Sequence, residues 1–272
     1  MMKIVINCAT TDFLGKCLES VIAQSMCDWE AFVTLDGFDR SDRDRIVKAA
    51  PADPRIYWTY NKDRKYSLSN QISSIRRSGI DPQDVIISLD GDDWFACEDA
   101  LQIISQAYQD GAWMTYGSWV SPPESQWGPG SWPAYLDGCL DFRNHRWLAT
   151  AVRTWKRWLW DRIKDSSLRD DSGRYFRIAE DRAIMYPLLE MCGTERAQHI
   201  AEPIMFYNQQ STYSADLTQE TEHNVALLKH RPPYSRIVHQ PRWGGELSTM
   251  RILKQLRPQV AIDMEDLCLS WS

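Results

Sequence analysis

Three aspartates lie within four residues at the end of an apolar run, in the stretch VIISLDGDDWF from Val85 to Phe95. Asp90, Asp92 and Asp93 would repel one another if they packed closely, so they need either a neutralising cation or full solvation. A hard divalent cation held by one or two carboxylates and by the phosphate oxygens of a ligand meets that need. A surface turn that caps a helix fits the same pattern, and this stretch alone does not decide between the two.

Another aspartate follows an apolar run in a comparable way, because WEAFVTLDG (29–37) closes on Asp36 and Gly37. In open α/β sheets, ligands bind beyond the carboxyl ends of the strands, where the loops diverge and leave a crevice. We therefore expect Asp36 and the three later aspartates to face one crevice, provided that the apolar runs before them are strands of one sheet.

Short apolar runs alternate with helical patterns from residue 3 to residue 90. Apolar runs typical of buried strands occupy 3–10, 29–37, 55–61 and 84–90. Apolar residues at helical spacing, with caps or stop signals, occupy 13–25, 41–50 and 67–79. This alternation predicts an α/β protein with a Rossmann-like, mostly parallel sheet covered by helices on both faces.

The pattern changes after the aspartates and predicts a mixed second half. A capped amphipathic helix over 97–111 precedes a strand over 112–120 and a loop rich in Pro, Gly and Ser over 121–133. The remaining elements are a helix in the second half of 145–163, a polar loop at 166–176, a helix at 179–193 that contains Pro187, one or two strands at 195–210, and a helix ending near 230.

Composition narrows the class of protein. The chain has 272 residues, of which 43% are hydrophobic, and a formal net charge of -6, which argues against a general nucleic-acid binder. Seven cysteines without metal-ligand spacing indicate buried thiols in a reducing compartment.

The apolar run after Met1 is too short for a signal peptide or a membrane span, so we expect a cytoplasmic protein. An excess of basic residues from Lys229 onward fits either peripheral membrane contact or an ordinary solvated tail.

The order of these elements resembles the nucleotide-diphosphate-sugar half of inverting family-2 glycosyltransferases, which have the GT-A fold. The resemblance covers about residues 3–210 and rests on NCATTDFLGKCLESVIAQS, LDGFD, SLDGDDW and EDRAIMYPLLE. It implies a GT-A domain over 1–230, with a nucleotide-sugar half (1–95) and an acceptor half (96–230), followed by a C-terminal tail or helical appendage (231–272).

The resemblance also implies which residues bind the donor. Ala9 and Thr10 would lie near the nucleobase, and Asp36 would accept a hydrogen bond from its ring N–H. Asp90 would approach the ribose, while Asp92 and Asp93 would hold Mn²⁺ or Mg²⁺ against the diphosphate. Two further residues belong to the same expected nucleotide-sugar site, namely Asn61 and Gly91. Relatives often bind the base or phosphate where Lys62, Arg64 and Asn70 lie.

In this family the catalytic base comes from an acidic pair that opens a helix, and AEDRA supplies Glu180 and Asp181. We assign the base to Asp181 and keep Glu180 in reserve, although acidic residues at a helix N-terminus are also common for purely electrostatic reasons. A basic segment from Arg143 to Arg157 could neutralise a diphosphate or a phosphorylated lipid carrier.

Thirteen tryptophans suggest a sugar acceptor, because indole rings pack on the C–H faces of sugars and many of these residues lie between the metal motif and the base. Trp127 and Trp132, in the polar loop, are the acceptor candidates; Trp155 and Trp158 have helical spacing and are expected in the core.

The expected activity is metal-dependent, inverting transfer of a sugar from a nucleotide diphosphate, most simply a uridine one, to a hydroxyl acceptor such as a glycan. Two alternatives stay open. One is a GT-A module that binds sugar nucleotides without turnover. The other is a sugar nucleotidyltransferase, which would carry a basic, glycine-rich loop after its first strand, whereas CATTDFLGK has one Gly and one Lys.

Overall fold

The computed structural model of the protein describes residues 1–77, 79–121, 133–208 and 218–241. Its first half alternates strands with helices: β1 (Met2–Cys8), α1 (Leu14–Ile22), β2 (Trp29–Asp36), α2 (Arg40–Ala49), β3 (Ile56–Asn61), α3 (Tyr66–Arg77) and β4 (Val85–Asp90). These are the strands and helices that the hydrophobic pattern predicts, with ends that differ by a few residues. The reason is that the apolar runs of β1, β2 and β4 are almost entirely buried, so local composition and tertiary environment agree.

The second half is more irregular. It contains β5 (Trp94–Phe95), α4 (Ala100–Gln109), β6 (Met114–Val120), β7 (Arg153–Lys156), α5 (Arg157–Trp160), a 3₁₀ helix (Asp165–Leu168), α6 (Glu180–Cys192), β8 (Ala197–Phe206) and α7 (Thr218–His230). The helix α6 continues through Pro187. The strand β8 is a single strand, and its pairing with β6 shifts register near Ser118 and Pro203.

One eight-stranded sheet joins the two halves, in the order β3-β2-β1-β4-β7-β6-β8-β5. The strands β3, β2, β1 and β4 run parallel. From β7 onward the sheet is mixed, because β7 pairs antiparallel with both β4 and β6 while β8 runs parallel to β6. The predicted fold class, a mostly parallel half joined to a mixed half, is therefore confirmed.

Helices cover both faces of this sheet. Successive side chains of β1 point to opposite faces, so Val5 packs in one hydrophobic core while Ile4 and Ile6 pack in another. The core around Val5 includes residues of α3 and α6, and the other includes residues of α1 and α4. Because β1 is buried on both faces, its sequence is a continuous apolar run rather than an alternating one.

The prediction of a helix in the second half of 145–163 is wrong for its first four residues. Residues Arg153–Lys156 form the strand β7, and only Arg157–Trp160 form a short helix. The strand β7 forms because it pairs with β4 on one side and with β6 on the other. The hydrophobic pattern of this segment alone does not predict these two partners. The expectation that Trp155 and Trp158 belong to the core is confirmed, since each is 1% exposed.

The six cysteines in the part of the chain that the structure describes are free thiols, but they are not all buried as predicted. Cys8, Cys17 and Cys192 are buried and Cys139 is half-buried, whereas Cys27 and Cys97 are exposed.

Within the described ranges, no helix combines the length and the apolar character that crossing a membrane requires. The predicted boundary after residue 230 stays a prediction, and Tyr234 and Ile237 beyond it pack against the core that contains Val5.

Gly91 allows β4 to end in close contact with β1. Its backbone N–H donates to the carbonyl oxygen of Asn7 at 2.8 Å. A Cβ atom at this position would lie 3.0 Å from Cβ of Cys8 and 3.1 Å from both the Asn7 carbonyl oxygen and Cα of Cys8. Glycine therefore fits here because two backbones approach each other, which a side chain would prevent.

We predict that Gly91→Ala lowers the free energy of unfolding by about 1–3 kcal/mol, because the new methyl group overpacks against backbone atoms that cannot move freely. Urea denaturation measures the change. Gly15→Ala is the matched control, since nothing lies within 4 Å of a Cβ there; at a helical position we expect no loss, and a gain of up to about 1 kcal/mol. Equal effects of the two substitutions would contradict the close-contact explanation.

Candidate functional site

A cleft of about 520 Å³ opens at the carboxyl ends of β1, β2 and β4. The structure brings most of the predicted site residues to its walls: Ala9, Thr10, Asp36, Asp90, Asp92, Asp93, Glu180 and Asp181. Segments that are far apart in sequence thus meet at one crevice, at the edge of the sheet where such a site is expected. Of the predicted residues that the structure describes, Asn61, Lys62 and Gly91 do not line it.

Asp36 is buried at the end of β2 and organises the start of α3. Its Oδ1 accepts hydrogen bonds from the backbone N–H of Lys65 at 2.8 Å and from Nδ2 of Asn61 at 3.0 Å. Its Oδ2 accepts from the backbone N–H of Tyr66 at 2.8 Å. A carboxylate has about four lone-pair sites, so Asp36 retains capacity to accept from a ligand in the cleft.

Asn61 supports Asp36 from behind instead of lining the cleft. Its Nδ2 donates both to Asp36 and to Oδ1 of Asn70, at 2.8 Å for the latter. Asn70 itself does line the cleft. The structure therefore gives Asn61 a supporting position, which differs from direct contact with the nucleotide.

The acidic cluster at the tip of β4 has three different environments. Asp93 is buried and its Oδ1 accepts from the backbone N–H of Asn208 at 2.8 Å. Burial, with added repulsion from Asp90, raises the pKa of Asp93 well above its usual range. Burial also raises the pKa of Asp90 to about 6, with Arg153 acting against that rise and Asp92 adding to it. Asp92 is only half-buried and lines the cleft.

An aromatic stack fixes the segment that follows the cluster. Trp94 pairs with Phe206 across β5 and β8, and their rings stack with centroids 4.5 Å apart. Nζ of Lys16 lies 3.9 Å from the centroid of the Trp94 ring. Asp93 directly precedes Trp94, and Asn208 is two residues after Phe206. The stacking of Trp94 on Phe206 therefore keeps Asp93 within hydrogen-bonding distance of Asn208.

Glu180 and Asp181 open α6, and the preceding residue has an unusual backbone. Ala179 adopts a left-handed conformation with φ of 62°. For a residue with a Cβ this conformation costs roughly 1–2 kcal/mol. Tyr66, at the start of α3, likewise has φ of 66°. Both residues line the cleft, so unfavourable backbone conformations are concentrated there, as is common at functional sites.

The two carboxyl groups of this pair have different surroundings. Burial, followed by repulsion from Asp181 and Asp90, raises the pKa of Glu180 to about 8. Asp181 lies 3.4 Å from Nη1 of Arg153, and its other oxygen accepts from the backbone N–H of Arg182 at 2.8 Å. Glu180 is thus mainly a neutral acid near pH 7, and Asp181 has a cationic neighbour.

Several cleft residues were not singled out by the sequence. Tyr66 and Arg177 are two of them, and Cζ of Arg177 lies 4.8 Å from the centroid of the Tyr66 ring. Cζ of Arg64, which the resemblance indicated, lies 5.5 Å from the same centroid. Arg182 and Trp147 are two more; Cζ of Arg182 lies 4.7 Å from the centroid of the half-exposed Trp147 ring. Thr221 and Val225 of α7 complete the wall. No local pattern distinguishes these residues from ordinary surface or core positions.

The basic segment that was expected to neutralise phosphate is divided by the fold. Arg143 is buried and pairs with Glu190, so it is a core residue rather than a phosphate ligand. Arg157 pairs with Asp161 at 2.9 Å and does not line the cleft. Only Arg153 of this segment reaches the acidic site. The acceptor candidates Trp127 and Trp132 lie outside the described residues.

The acidic residues suit a hard divalent cation. Among the described residues, no group of three or more His, Cys, Asp or Glu side chains has the arrangement of a complete metal site. Asp92 and Asp93 nevertheless both line the cleft, and two carboxylates with phosphate oxygens of a ligand are a typical ligand set for Mg²⁺ or Mn²⁺.

Comparison with known proteins gives a family and a fold. The profile of Glycosyl transferase family 2 matches residues 4–172. A sequence comparison with curated proteins found no match. Among solved structures, Staphylococcus aureus TarS 1–349 in complex with UDP has a TM-score of 0.61 at 14% identity, over 84% of this chain and 64% of that one.

Two further structures have the same fold. TarS 1–349 in complex with UDP-GlcNAc has a TM-score of 0.59 at 13% identity, over 84% of this chain and 66% of that one. GalNAc-T7 with UDP, GalNAc and Mn²⁺ has a TM-score of 0.55 at 12% identity, over 76% of this chain and 44% of that one. The chain thus spans less than two thirds of the length of each of these proteins.

We predict that Asp36→Asn lowers the free energy of unfolding by about 1–3 kcal/mol, because the new NH₂ group faces N–H donors and leaves at least one of them without an acceptor. Urea denaturation measures this change. Asp39→Asn is the matched control: Asp39 accepts from the backbone N–H of Asp42 at the exposed start of α2, where asparagine caps equally well, so stability stays nearly unchanged. Equal losses in both variants would contradict the role of Asp36.

The stability of the metal-free protein should fall as pH rises because of Glu180. Its usual pKa of 4.5 becomes about 8 in the folded state. Between these values the folded protein keeps a proton that the unfolded chain releases, so the free energy of unfolding decreases with pH and levels off above about pH 8. Glu180→Gln removes this titration and should flatten the decrease.

Urea denaturation in EDTA across this pH window tests the prediction. The exposed Glu98, which does not line the cleft, provides the control variant Glu98→Gln, and this variant should keep the wild-type slope. A wild-type slope in Glu180→Gln would show that Glu180 is not the group that titrates.

Proposed function

This chain belongs to Glycosyl transferase family 2, and we propose that it transfers a sugar from a nucleotide diphosphate to a hydroxyl group of an acceptor, with inversion at the anomeric carbon. The observation that carries the proposal is the meeting, in one cleft, of the carboxylates at the tip of β4 with the acidic pair that opens α6. These two groups correspond to the two chemical needs of the reaction, a charge-balanced leaving group and a base.

For the donor we propose a uridine nucleotide, with a glycan or another hydroxyl compound as acceptor. TarS was crystallised with UDP and UDP-GlcNAc, and GalNAc-T7 with UDP, GalNAc and Mn²⁺. In this chain, Asp36 would accept a hydrogen bond from the ring N–H of the base, beside Ala9 and Thr10. Asn61 would act through Asp36, which it already contacts, and Asp90 would approach the ribose.

A divalent cation, Mn²⁺ or Mg²⁺, would be held by Asp92 and Asp93. Its contribution would be to stabilise the negative charge that develops on the departing diphosphate. The protein's part is to keep these carboxylates in place: Asn208 binds one oxygen of Asp93, and Gly91 lets the strand tip pack against β1.

Asp181 would be the base. The acceptor O–H gives its proton to a carboxylate oxygen of Asp181 as the acceptor oxygen bonds to the anomeric carbon. On the opposite face, the bond between that carbon and the diphosphate oxygen breaks, and the electron pair leaves with the diphosphate. Glu180, mainly protonated near pH 7 because of its raised pKa, is poorly suited to take this proton and remains the reserve.

We predict that Asp181→Asn lowers turnover of a UDP-sugar by about 10²–10⁴-fold, while UDP still raises the melting temperature as it does in the wild type. The assay measures release of UDP from UDP-glucose, UDP-galactose, UDP-GlcNAc and UDP-GalNAc with Mn²⁺, with water or added glycans as acceptor. EDTA should abolish the release.

The control is Asp110→Asn, because Asp110 is exposed at the end of α4 and does not line the cleft; it should keep wild-type turnover. Full turnover in Asp181→Asn together with loss in Glu180→Gln would move the base to Glu180. A wild-type protein that binds UDP but releases none from any donor would indicate a binding module, and pyrophosphate release from nucleoside triphosphates would indicate a nucleotidyltransferase.

A further inference from the structure

Arg153 occupies a central position between the two acidic groups of the cleft. It is the first residue of β7, which pairs antiparallel with β4, and in that pairing it lies opposite Ser88. It is therefore beside the strand that ends in Asp90. Its Nη1 lies 3.4 Å from Oδ2 of Asp181, and the two side chains are only 18% and 24% exposed.

The charges around Arg153 all come from the proposed active site. Burial lowers its pKa, but Asp181, then Asp90 and then Glu180 together raise that pKa above its usual value. Arg153 also lines a cavity of about 10 Å³ beneath the cleft, together with Gln71, Ser88, Asp90, Glu180 and Asp181. A cavity of this size holds about one water molecule.

The other arginines of the cleft have different surroundings. Arg64 and Arg177 lie over the ring of Tyr66, and Arg177 also pairs with Glu220 of α7 at 3.0 Å. Arg182 stacks on Trp147 and donates to the hydroxyl of Tyr186 at 3.2 Å. Arg153, by contrast, forms an ion pair with Asp181 of the acidic pair that opens α6.

We infer that Arg153 is a positioning residue, whose guanidinium group holds the base Asp181 beside the small cavity that Asp90 also lines. The inference rests on the proposed function. A guanidinium suits this task because it presents several N–H donors in a rigid plane and stays charged. An ammonium group carries the same charge but lacks this planar set of donors.

This arrangement also fits the change of charge during the reaction. When Asp181 accepts the acceptor's proton it becomes neutral, which would leave a half-buried cation without its partner. Asp90 lines the same small cavity as Arg153 and can serve as its counter-charge in that state. A buried cation that always has a partner avoids the large penalty of an uncompensated charge. The same guanidinium thus serves both protonation states of the base.

A stability experiment tests the contact without requiring turnover. Melting temperatures are measured in EDTA for the wild type, Arg153→Met, Asp181→Asn and the double variant. Arg153→Met leaves the carboxylates uncompensated, so Asp181→Asn should change the melting temperature about 2–4 °C more favourably in that variant than in the wild type. Arg157→Met is the matched control, since Arg157 is also 18% exposed and pairs with Asp161 outside the cleft; its effect should add to that of Asp181→Asn.

A kinetic experiment tests the positioning role, using whichever UDP-sugar the wild type turns over fastest. Arg153→Met should lower kcat by about 10²-fold with little change in KM for the donor, because the base is misplaced while the donor site is intact. Arg153→Lys should recover part of this loss, and Arg157→Met should keep wild-type kinetics.

Each result bears on the inference. Additive melting temperatures for Arg153→Met and Asp181→Asn would overturn the contact. A coupled pair with unchanged kcat would make Arg153 purely structural, and a raised KM at constant kcat would make it a donor ligand; both overturn the positioning role. A wild type that turns over no donor removes the proposed function and this role together, even if the melting temperatures remain coupled.

Discussion

The repulsion between carboxylates gathered in one half-buried cleft is the constraint on which the rest of this structure depends. Water alone does not balance these charges, since burial raises the pKa of Asp90 to about 6 and that of Glu180 to about 8. In the structure, the negative charge is offset by the guanidinium group of Arg153 and by protons that the carboxyl groups keep. Under the proposed function, a cation and a phosphorylated ligand would relieve this repulsion.

The backbone is shaped to maintain this arrangement. Ala179 and Tyr66 have left-handed conformations beside the cleft, and Gly91 lets β4 end against β1 without a side chain between them. Such features lower stability in isolation and persist when surrounding contacts determine them. Here the contacts are visible: Asp36 accepts the N–H groups of residues 65 and 66, and α6 continues for more than three turns beyond Ala179 in a buried core.

The two halves of the sheet supply different parts of the proposed active site. The parallel half ends in Asp36 and the aspartates of β4, so it supplies the proposed donor side. The mixed half supplies Arg153 on β7, the acidic pair of α6, and the partner of Asp93, which follows β8. Since β7 pairs directly with β4, Arg153, which contacts the proposed base, begins the strand beside the one that leads into the proposed metal ligands. Neighbouring strands keep distances constant, which proton transfer requires.

The sequence alone predicts the order of the strands and helices in the first half, because the buried strands of a parallel sheet need continuous apolar runs. The polar residues that end these runs can then be recognised as the carboxyl ends of the strands. It also indicated Asp36, the aspartates of β4 and the pair at 180 and 181 as residues of one crevice. The tertiary structure alone decided that Asn61 supports Asp36, that Arg143 belongs to the core, and that Arg153 begins a strand and reaches the acidic site. Those outcomes depend on partners contributed by distant segments, and local spacing carries no information about which segment will be the partner.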